Sequence, residues 1–476
     1  MLERLDVWHR LAPDDAAADE QGVRWSVADL LRHSAHVARW LRTEGVVAGD
    51  RVAWHGGSSL DFAAVLLAAW QLDATYMGIN PRYTQTEVAS MLTRARPRVI
   101  VDASMMRRWL AVPHSDETPL PTPSGEQPAI LVFTTGSTGH PKGALISHRA
   151  IAAASANQAL HTSFGARCVI NALPANHIGG IVNITTSAWW AAQSVAFISQ
   201  FSPDAIAERL REGGRCQLSA VPMIFRRCLD APGFAESARG RLVHALSGGA
   251  PLPRAVHDEL VALGAQVQGM YGQTEMSGSI CFTSLDDDAE TTASTIGRPV
   301  AGLDFRLGPL DGSAGDLPEG ELQVRGPQLF DAYLDDEAAT RAAYTTDGWL
   351  RSGDLAVRRD DSSIQLTGRL KEIINSGGYK VMPAEIESVL LAHSRVAAAA
   401  VVGQVDAMFG EVVTAFVTAR DPAPLQIAEL DAWCRARLAN YKVPKTFVQL
   451  EALPLLGVGK VDKRALATRP LEAPHV

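Results

Sequence analysis

The chain has 476 residues, too many for one ordinary hydrophobic core, so two or more domains are expected. Hydrophobic residues make up 47% and charged residues 20%, the balance of a soluble globular enzyme and not of a disordered chain. The formal charge of -8 gives no broad basic face for nucleic acid, and the most apolar runs, 62–70 and 188–198, are too short to span a bilayer. Those runs read as buried helices or strands. The first six residues carry early acids and no signal-peptide core. Five scattered cysteines (Cys168, Cys216, Cys228, Cys281, Cys434) without a C-x-x-C pair predict reduced, mostly buried thiols and a cytoplasmic protein.

In chain order, Ser26 can cap a helix whose apolar positions Val27, Leu30, Leu31, Val37, Ala38 and Leu41 follow helical spacing. A strand at 51–54, an apolar helix at 58–72, a strand leading to Asn80-Pro81, a helix from about 85 and a strand at 98–101 follow. Such alternation predicts a parallel sheet covered by helices. Residues 111–128 hold five prolines and read as a surface connection. The α/β rhythm then resumes to about 271. From 296 to 366 short strands and tight turns indicate a small β-rich unit, and after Gly368-Arg369 a compact final unit begins, with a helix opened by Pro383 and apolar strands near 396–402 and 412–417.

The most informative stretch is Leu131-Val-Phe-Thr-Thr-Gly-Ser-Thr-Gly-His-Pro-Lys-Gly143, an apolar strand running into a loop. Gly136, Gly139 and Gly143 let the backbone approach a bulky anion. Thr134, Thr135, Ser137 and Thr138 offer hydroxyls, and Lys142 adds a compact charge. Those are the needs of a polyphosphate cradle, but not of the common P-loop, because His140 and Pro141 precede Lys142 and no Ser or Thr follows it. The loop resembles that of the adenylate-forming superfamily, which includes acyl-CoA synthetases, peptide-synthetase adenylation domains and luciferases.

Six further segments match that superfamily in its order. Leu173-Pro-Ala-Asn-His-Ile-Gly-Gly180 looks like the segment beside the acyl pocket, with His177 toward the reacting carboxylate and Ile178 in the wall. Ser247-Gly-Gly-Ala-Pro-Leu252 ends a predicted strand at 242–246, and the resemblance assigns Gly248, Gly249 and Ala250 to the adenine face and pocket wall. Tyr271-Gly-Gln-Thr-Glu275 follows a predicted strand at 265–270. In it Tyr271 can stack on adenine beside Gly272, Thr274 can reach the α-phosphate, and Glu275 offers the hard oxygen that Mg²⁺ prefers. Met270 and Met276 complete the expected acyl wall.

Asp354, in Gly348-Trp-Leu-Arg-Ser-Gly-Asp354, matches the aspartate that takes both ribose hydroxyls, and Arg369 looks like the second ribose contact. The two could instead pair with each other. Lys371 stands at the family's hinge. In Asn375-Ser-Gly-Gly-Tyr-Lys380, Gly377 and Gly378 match the glycines beside the pantetheine tunnel of CoA ligases. Leu453-Pro-Leu-Leu-Gly-Val-Gly-Lys460 resembles the loop of the mobile catalytic lysine, although Leu455, Leu456 and Val458 replace its usual polar residues.

The resemblance thus implies an α/β protein. A large N-terminal domain of helix-covered mixed sheets (1–370, with a β-rich unit at about 296–370) precedes a small mobile α+β domain (371–476). It implies a ligase that uses ATP, Mg²⁺ and CoA to activate a small carboxylic acid through an acyl-AMP. The alternatives are an adenylation enzyme loading a carrier protein in trans and an inactive nucleotide-binding relative.

Overall fold

The structure, a computed structural model, describes all residues except 113–119, 121–122, 135–140, 163–164, 311–314, 377, 407, 422, 456–460 and 471–476. The chain divides into two compact units. The first joins Met1–Phe305, Val324–Leu350 and Asp361–Ser363; the second joins Arg306–Gln323, Arg351–Asp360 and Ile364–Val476. The boundary expected at 370/371 falls inside the second of these.

Two sheets build the first unit. The six-stranded one runs Ala332–Tyr333, Lys142–Ser147, Pro128–Thr134, Thr75–Ile79, Arg51–His55 and Val99–Asp102 in spatial order. Its last four strands pair in parallel, and the first two add antiparallel. The nine-stranded sheet runs Arg298–Pro299, Gly278–Phe282, Gln266–Gln273, Leu242–Gly248, Cys216–Ala220, Cys168–Asn171, Ser194–Phe197, Ala16–Glu20 and Val23–Ser26. Its parallel middle carries antiparallel edges at both ends. The α/β alternation was therefore a sound guide to both sheets.

Local chemistry explains the helices between them. Ser26 caps Val27–Thr43 in a capping box, its hydroxyl accepting from Asp29 N–H while the Asp29 carboxylate accepts from Ser26 N–H. Leu60–Gln71 opens on the Ser59 hydroxyl and buries an unbroken run from Phe62 to Trp70, because it is covered all round. Each large apolar side chain on it contributes about 1.5–3 kcal/mol by leaving water. The apolar run 188–198 is split between the helix Ser187–Trp190 and the strand Ser194–Phe197. All five cysteines are free and buried, and among the described residues no helix is long and apolar enough to cross a membrane.

In the second unit, Leu350–Arg358 and Ile364–Arg369 are antiparallel neighbours in a four-stranded sheet. Beyond it, Val396–Asp406 and Gly410–Ala419 form a long antiparallel pair; the other edge of Gly410–Ala419 takes both the hairpin Ile374–Ser376/Tyr379–Val381, at Gly410, and the parallel strand Thr446–Gln449, at 414–417. Pro383 opens the helix Pro383–Leu391 as expected, and Ile386 and Leu390 anchor it in a core with Val401, Val413 and Leu430.

Candidate active site

The glycine loop lies between two strands that pair with each other. Pro128–Thr134 enters it and Lys142–Ser147 leaves it antiparallel, so Thr134 and Lys142 face each other across the mouth. The Thr134 hydroxyl donates to the Lys142 carbonyl at 3.4 Å. Arg94, on the helix Gln85–Ala95, donates to the Pro141 carbonyl and ties down the returning arm. Thr135, Gly136, Ser137, Thr138 and Gly139 lie outside the described residues.

The Tyr271 pentad begins one element earlier than its sequence suggests. Gln266–Gln273 carries Tyr271 and Gly272 inside the strand, with a bulge against Gly278–Phe282, and only Thr274–Met276 forms a 3₁₀ turn. Gly272 must be glycine because a Cβ there would sit 1.9 Å from the Gly278 carbonyl oxygen. Tyr271 is 9% exposed and its hydroxyl accepts from the Gln273 amide at 3.2 Å. Thr274 and Glu275 are half-buried.

The partner that places Glu275 was not visible in the motifs. Tyr333 donates its hydroxyl to Glu275 Oε1 at 2.7 Å, and its ring lies 5.0 Å from Lys142 Nζ. Its strand, Ala332–Tyr333, pairs with the returning arm of the glycine loop, Tyr333 opposite Ala144. The Leu334 N–H binds the Gly143 carbonyl at 2.7 Å and the Phe330 N–H binds the Glu275 carbonyl at 2.9 Å. One short segment thus joins the glycine-loop arm to the pentad. Burial, then the Glu275 charge, push the Tyr333 hydroxyl well above the ordinary phenol range, so it stays a donor.

Of the expected acyl wall, Gly248 packs on Met270, where a Cβ would meet Met270 Cγ at 2.7 Å. Gly249 and Ala250 are exposed beyond the strand end, and Ile178 is 4% exposed. Met276 is instead fully buried, at 0% exposure, and presents no open surface. His177 is half-buried, and its Nδ1 accepts the Gly179 N–H at 3.0 Å. That bond puts the proton of a neutral ring on Nε2, a donor suited to a carboxylate. Directly after it comes an eight-residue π-helix, Gly179–Thr186. The buried Asn171 amide supports this wide turn by donating to the Gly180 carbonyl at 3.0 Å and to Thr185 Oγ1 at 2.9 Å. π-Helices of this kind concentrate at functional sites.

Asp354, Arg369, Lys371 and Gly378 belong to the second unit. Asp354 and Arg369 are register partners on adjacent strands and form an ion pair at 2.8 Å, the alternative left open by the sequence. Asp354 is 1% exposed on its side chain and Arg369 is 52% exposed. Glu321, also missed, holds the approach to Asp354: its carboxylate accepts from Arg351 Nε at 2.9 Å and from the Gly353 N–H at 3.1 Å.

Lys371 is exposed in the 3₁₀ turn Leu370–Glu372. Gly378 has φ +86°, and a Cβ there would meet nothing within 4 Å, so the backbone and not crowding calls for glycine. Beside it the rings of Tyr379 and Tyr441 stack at 4.6 Å and are 57% and 41% exposed. Gly377 and Lys460 lie outside the described residues. The flanks of Lys460 are held: the Asp462 N–H binds the Pro454 carbonyl at 2.8 Å, and Leu455 bridges Val461. Lys463 reaches Glu372 at 2.5 Å and Glu387 at 2.8 Å. Burial alone would lower its ammonium, but those two carboxylates overcome it and hold it above its ordinary value.

Residues 5–334 match the model of the AMP-binding enzyme family, and 385–460 match that of the AMP-binding enzyme C-terminal domain. A feruloyl-CoA synthase from Amycolatopsis is 31% identical over 97% of both chains. A long-chain-fatty-acid–CoA ligase, FadD13, from Mycobacterium tuberculosis is 30% identical over 93% of both. The crystal structure of ATP-bound MatB from Rhodopseudomonas palustris superposes with a TM-score of 0.88 at 27% identity, covering 97% of this chain and 98% of that one. The chain belongs to the AMP-binding, adenylate-forming enzyme family.

Proposed function

We propose that this enzyme is an AMP-forming acid:CoA ligase that makes an acyl-adenylate from ATP and a carboxylic acid and then passes the acyl group to the thiol of CoA. The observation that carries the reading is the meeting of Lys142 and Glu275 on one residue, Tyr333. A phosphate-loop lysine and a hard carboxylate oxygen on a common support are what a polyphosphate with a divalent cation requires. Glu275 fits such an ion, since its Oε1 is taken by a neutral hydroxyl and, among the described residues, no basic side chain pairs with it. Mg²⁺ bound there would offset charge on the phosphates. Among the described residues no group of three or more His, Cys, Asp or Glu could hold a metal by itself, which suits an ion that shares its ligands with ATP.

In the first step a carboxylate oxygen attacks the α-phosphorus, and the bond to the departing pyrophosphate breaks. Two anions meet, so catalysis rests on positioning and charge stabilisation. Thr274 and Lys142 serve the phosphates, His177 donates toward the acid, Asp354 and Arg369 take the ribose, and Lys460 bridges the reacting oxygens. In the second step the CoA thiol attacks the adenylate carbonyl and AMP leaves. A turn of the C-terminal domain (371–476) about Lys371 would withdraw Lys460 and bring Gly377 and Gly378 to the thiol. The exposed Tyr379 and Tyr441 rings favour CoA over a carrier protein, because a nucleotide base can stack on them and a carrier's phosphopantetheine has none.

For the acid, the feruloyl-CoA synthase named above and a further ligase from Mycobacterium tuberculosis for an octahydroindene-bearing propanoate, 30% identical, support an aromatic or cyclic acyl group, and the long-chain ligase named above supports a fatty one. The buried free thiols support a cytoplasmic setting.

A screen of carboxylic acids with ATP and Mg²⁺ tests the reading. Pyrophosphate should appear only with a suitable acid, and AMP release should accelerate with CoA. Acid-independent conversion of ATP to ADP as the main activity would overturn it, because that cleaves a different bond. The two half-reactions should then separate: Lys460→Ala fails to form acyl-AMP yet converts supplied acyl-AMP to thioester, whereas Gly378→Leu forms acyl-AMP and stalls.

A further inference from the structure

We infer that Tyr333 is a positioning residue for adenylation, holding the Glu275 carboxylate in one orientation for a phosphate-bound divalent cation while keeping Lys142 available to the phosphates. This rests on the nucleotide reading above and assigns a role to a residue outside every motif that suggested it.

The argument starts from what else could hold a half-buried carboxylate. An arginine or lysine would fix Glu275 but quench the charge that a cation needs. A water or a mobile hydroxyl would leave the charge and lose the orientation. A half-buried tyrosine donates one hydrogen bond, adds no charge, and has only two side-chain torsions to fix. At 2.7 Å from Oε1 it leaves Oε2 for the ion.

The ring itself cannot swing. Phe330 packs edge-on to it at 4.8 Å and stacks on Tyr344 at 6.0 Å, while the Tyr344 hydroxyl donates to the Phe330 carbonyl at 3.0 Å. The Tyr333 N–H is bound by Thr340 Oγ1 at 2.9 Å. Lys142 meets the other function of the ring, a negative face at 5.0 Å that attracts an ammonium without an ion pair. Among the described residues no acid pairs with Lys142, so its charge remains for the phosphates. The same tyrosine therefore supports a carboxylate through its hydroxyl and an ammonium through its ring.

The test compares Tyr333→Phe and Tyr333→Leu with the unaltered full-length protein, titrating ATP calorimetrically with Mg²⁺ and again with EDTA. Tyr333→Phe keeps the ring and loses only the hydroxyl. It should weaken binding of ATP with Mg²⁺ roughly tenfold, leave ATP binding in EDTA within about twofold, and raise the Mg²⁺ concentration for half-maximal pyrophosphate release by a similar factor. Tyr333→Leu also removes the ring under Lys142 and should weaken binding in EDTA as well. A mere structural role would lower the melting temperature and weaken both titrations of Tyr333→Phe equally, which would overturn the inference. So would an unchanged Mg²⁺ requirement. If the unaltered protein itself binds no ATP, the nucleotide reading fails first, and that result is distinct from either.

Discussion

Two carboxylates expected to touch ATP are held in opposite ways. Glu275, in the first unit, accepts a hydrogen bond from the neutral Tyr333 hydroxyl and has no basic partner among the described residues. Asp354, in the second unit, is almost fully buried and paired with the Arg369 guanidinium at 2.8 Å. The difference suits what each is proposed to bind. A cation needs an uncompensated negative charge, so its ligand is oriented by a neutral donor. A sugar diol needs two acceptor oxygens and no net charge, so its ligand can share its charge with an arginine and still accept. Because Arg369 is half exposed, water screens that pair and its net contribution to stability is on the order of 1 kcal/mol or less.

The contrast can be broken most decisively at Glu275. Glu275→Gln keeps an acceptor for Tyr333 but removes the charge. It should lower kcat/KM for pyrophosphate release by about 10²–10³-fold, roughly 3–4 kcal/mol, without a matching fall in melting temperature. A loss below about threefold would show that Glu275 is not the metal-side carboxylate.

Asp354→Ala should act on binding. Removing two charge-assisted hydrogen bonds to the ribose should raise the ATP KM at least roughly tenfold, about 1.4 kcal/mol. The sharper form of this test uses AMP, which has the ribose but no polyphosphate. AMP affinity should fall with Asp354→Ala and stay unchanged with Glu275→Gln, with or without Mg²⁺. If both variants weaken AMP alike, the division of labour between the two carboxylates is wrong.

The smallest effect is expected from Arg369→Ala. Its guanidinium is screened, so ATP affinity should fall only about two- to threefold and the melting temperature by a few degrees at most. A loss comparable to that of Asp354→Ala would mean that the arginine contributes as much to ribose binding as the aspartate does.

Much of this was legible along the chain. Capping at Ser26, the Pro383 helix start and the alternation of apolar strands with helices are local signals, set within one or two turns by side-chain and backbone chemistry. The motif residues Thr134, Lys142, Glu275, Asp354 and Arg369 were readable because their types and order are themselves the signal. The start of the Tyr271 pentad was misjudged, since nothing local distinguishes a strand's last residues from the turn after it when a bulge and a hairpin partner at 278–282 decide the matter. The π-helix after His177 also had no local mark, because the buried Asn171 that supports it belongs to a preceding strand.

What the amino-acid sequence by itself determined was therefore the family and the kind of chemistry to expect: a loop proposed for phosphates, a hard carboxylate, an aspartate proposed for the ribose and a glycine turn. Which neighbour each one answers to was decided only in three dimensions. Tyr333 lies 58 residues from Glu275 and meets it because its two-residue strand adds to the edge beside the glycine loop. Lys463 lies 91 residues from Glu372 and reaches it by the packing of the second unit. Hydrogen bonds and ion pairs act over about 3 Å, so their partners are set by strand order and packing, which short-range sequence patterns do not encode.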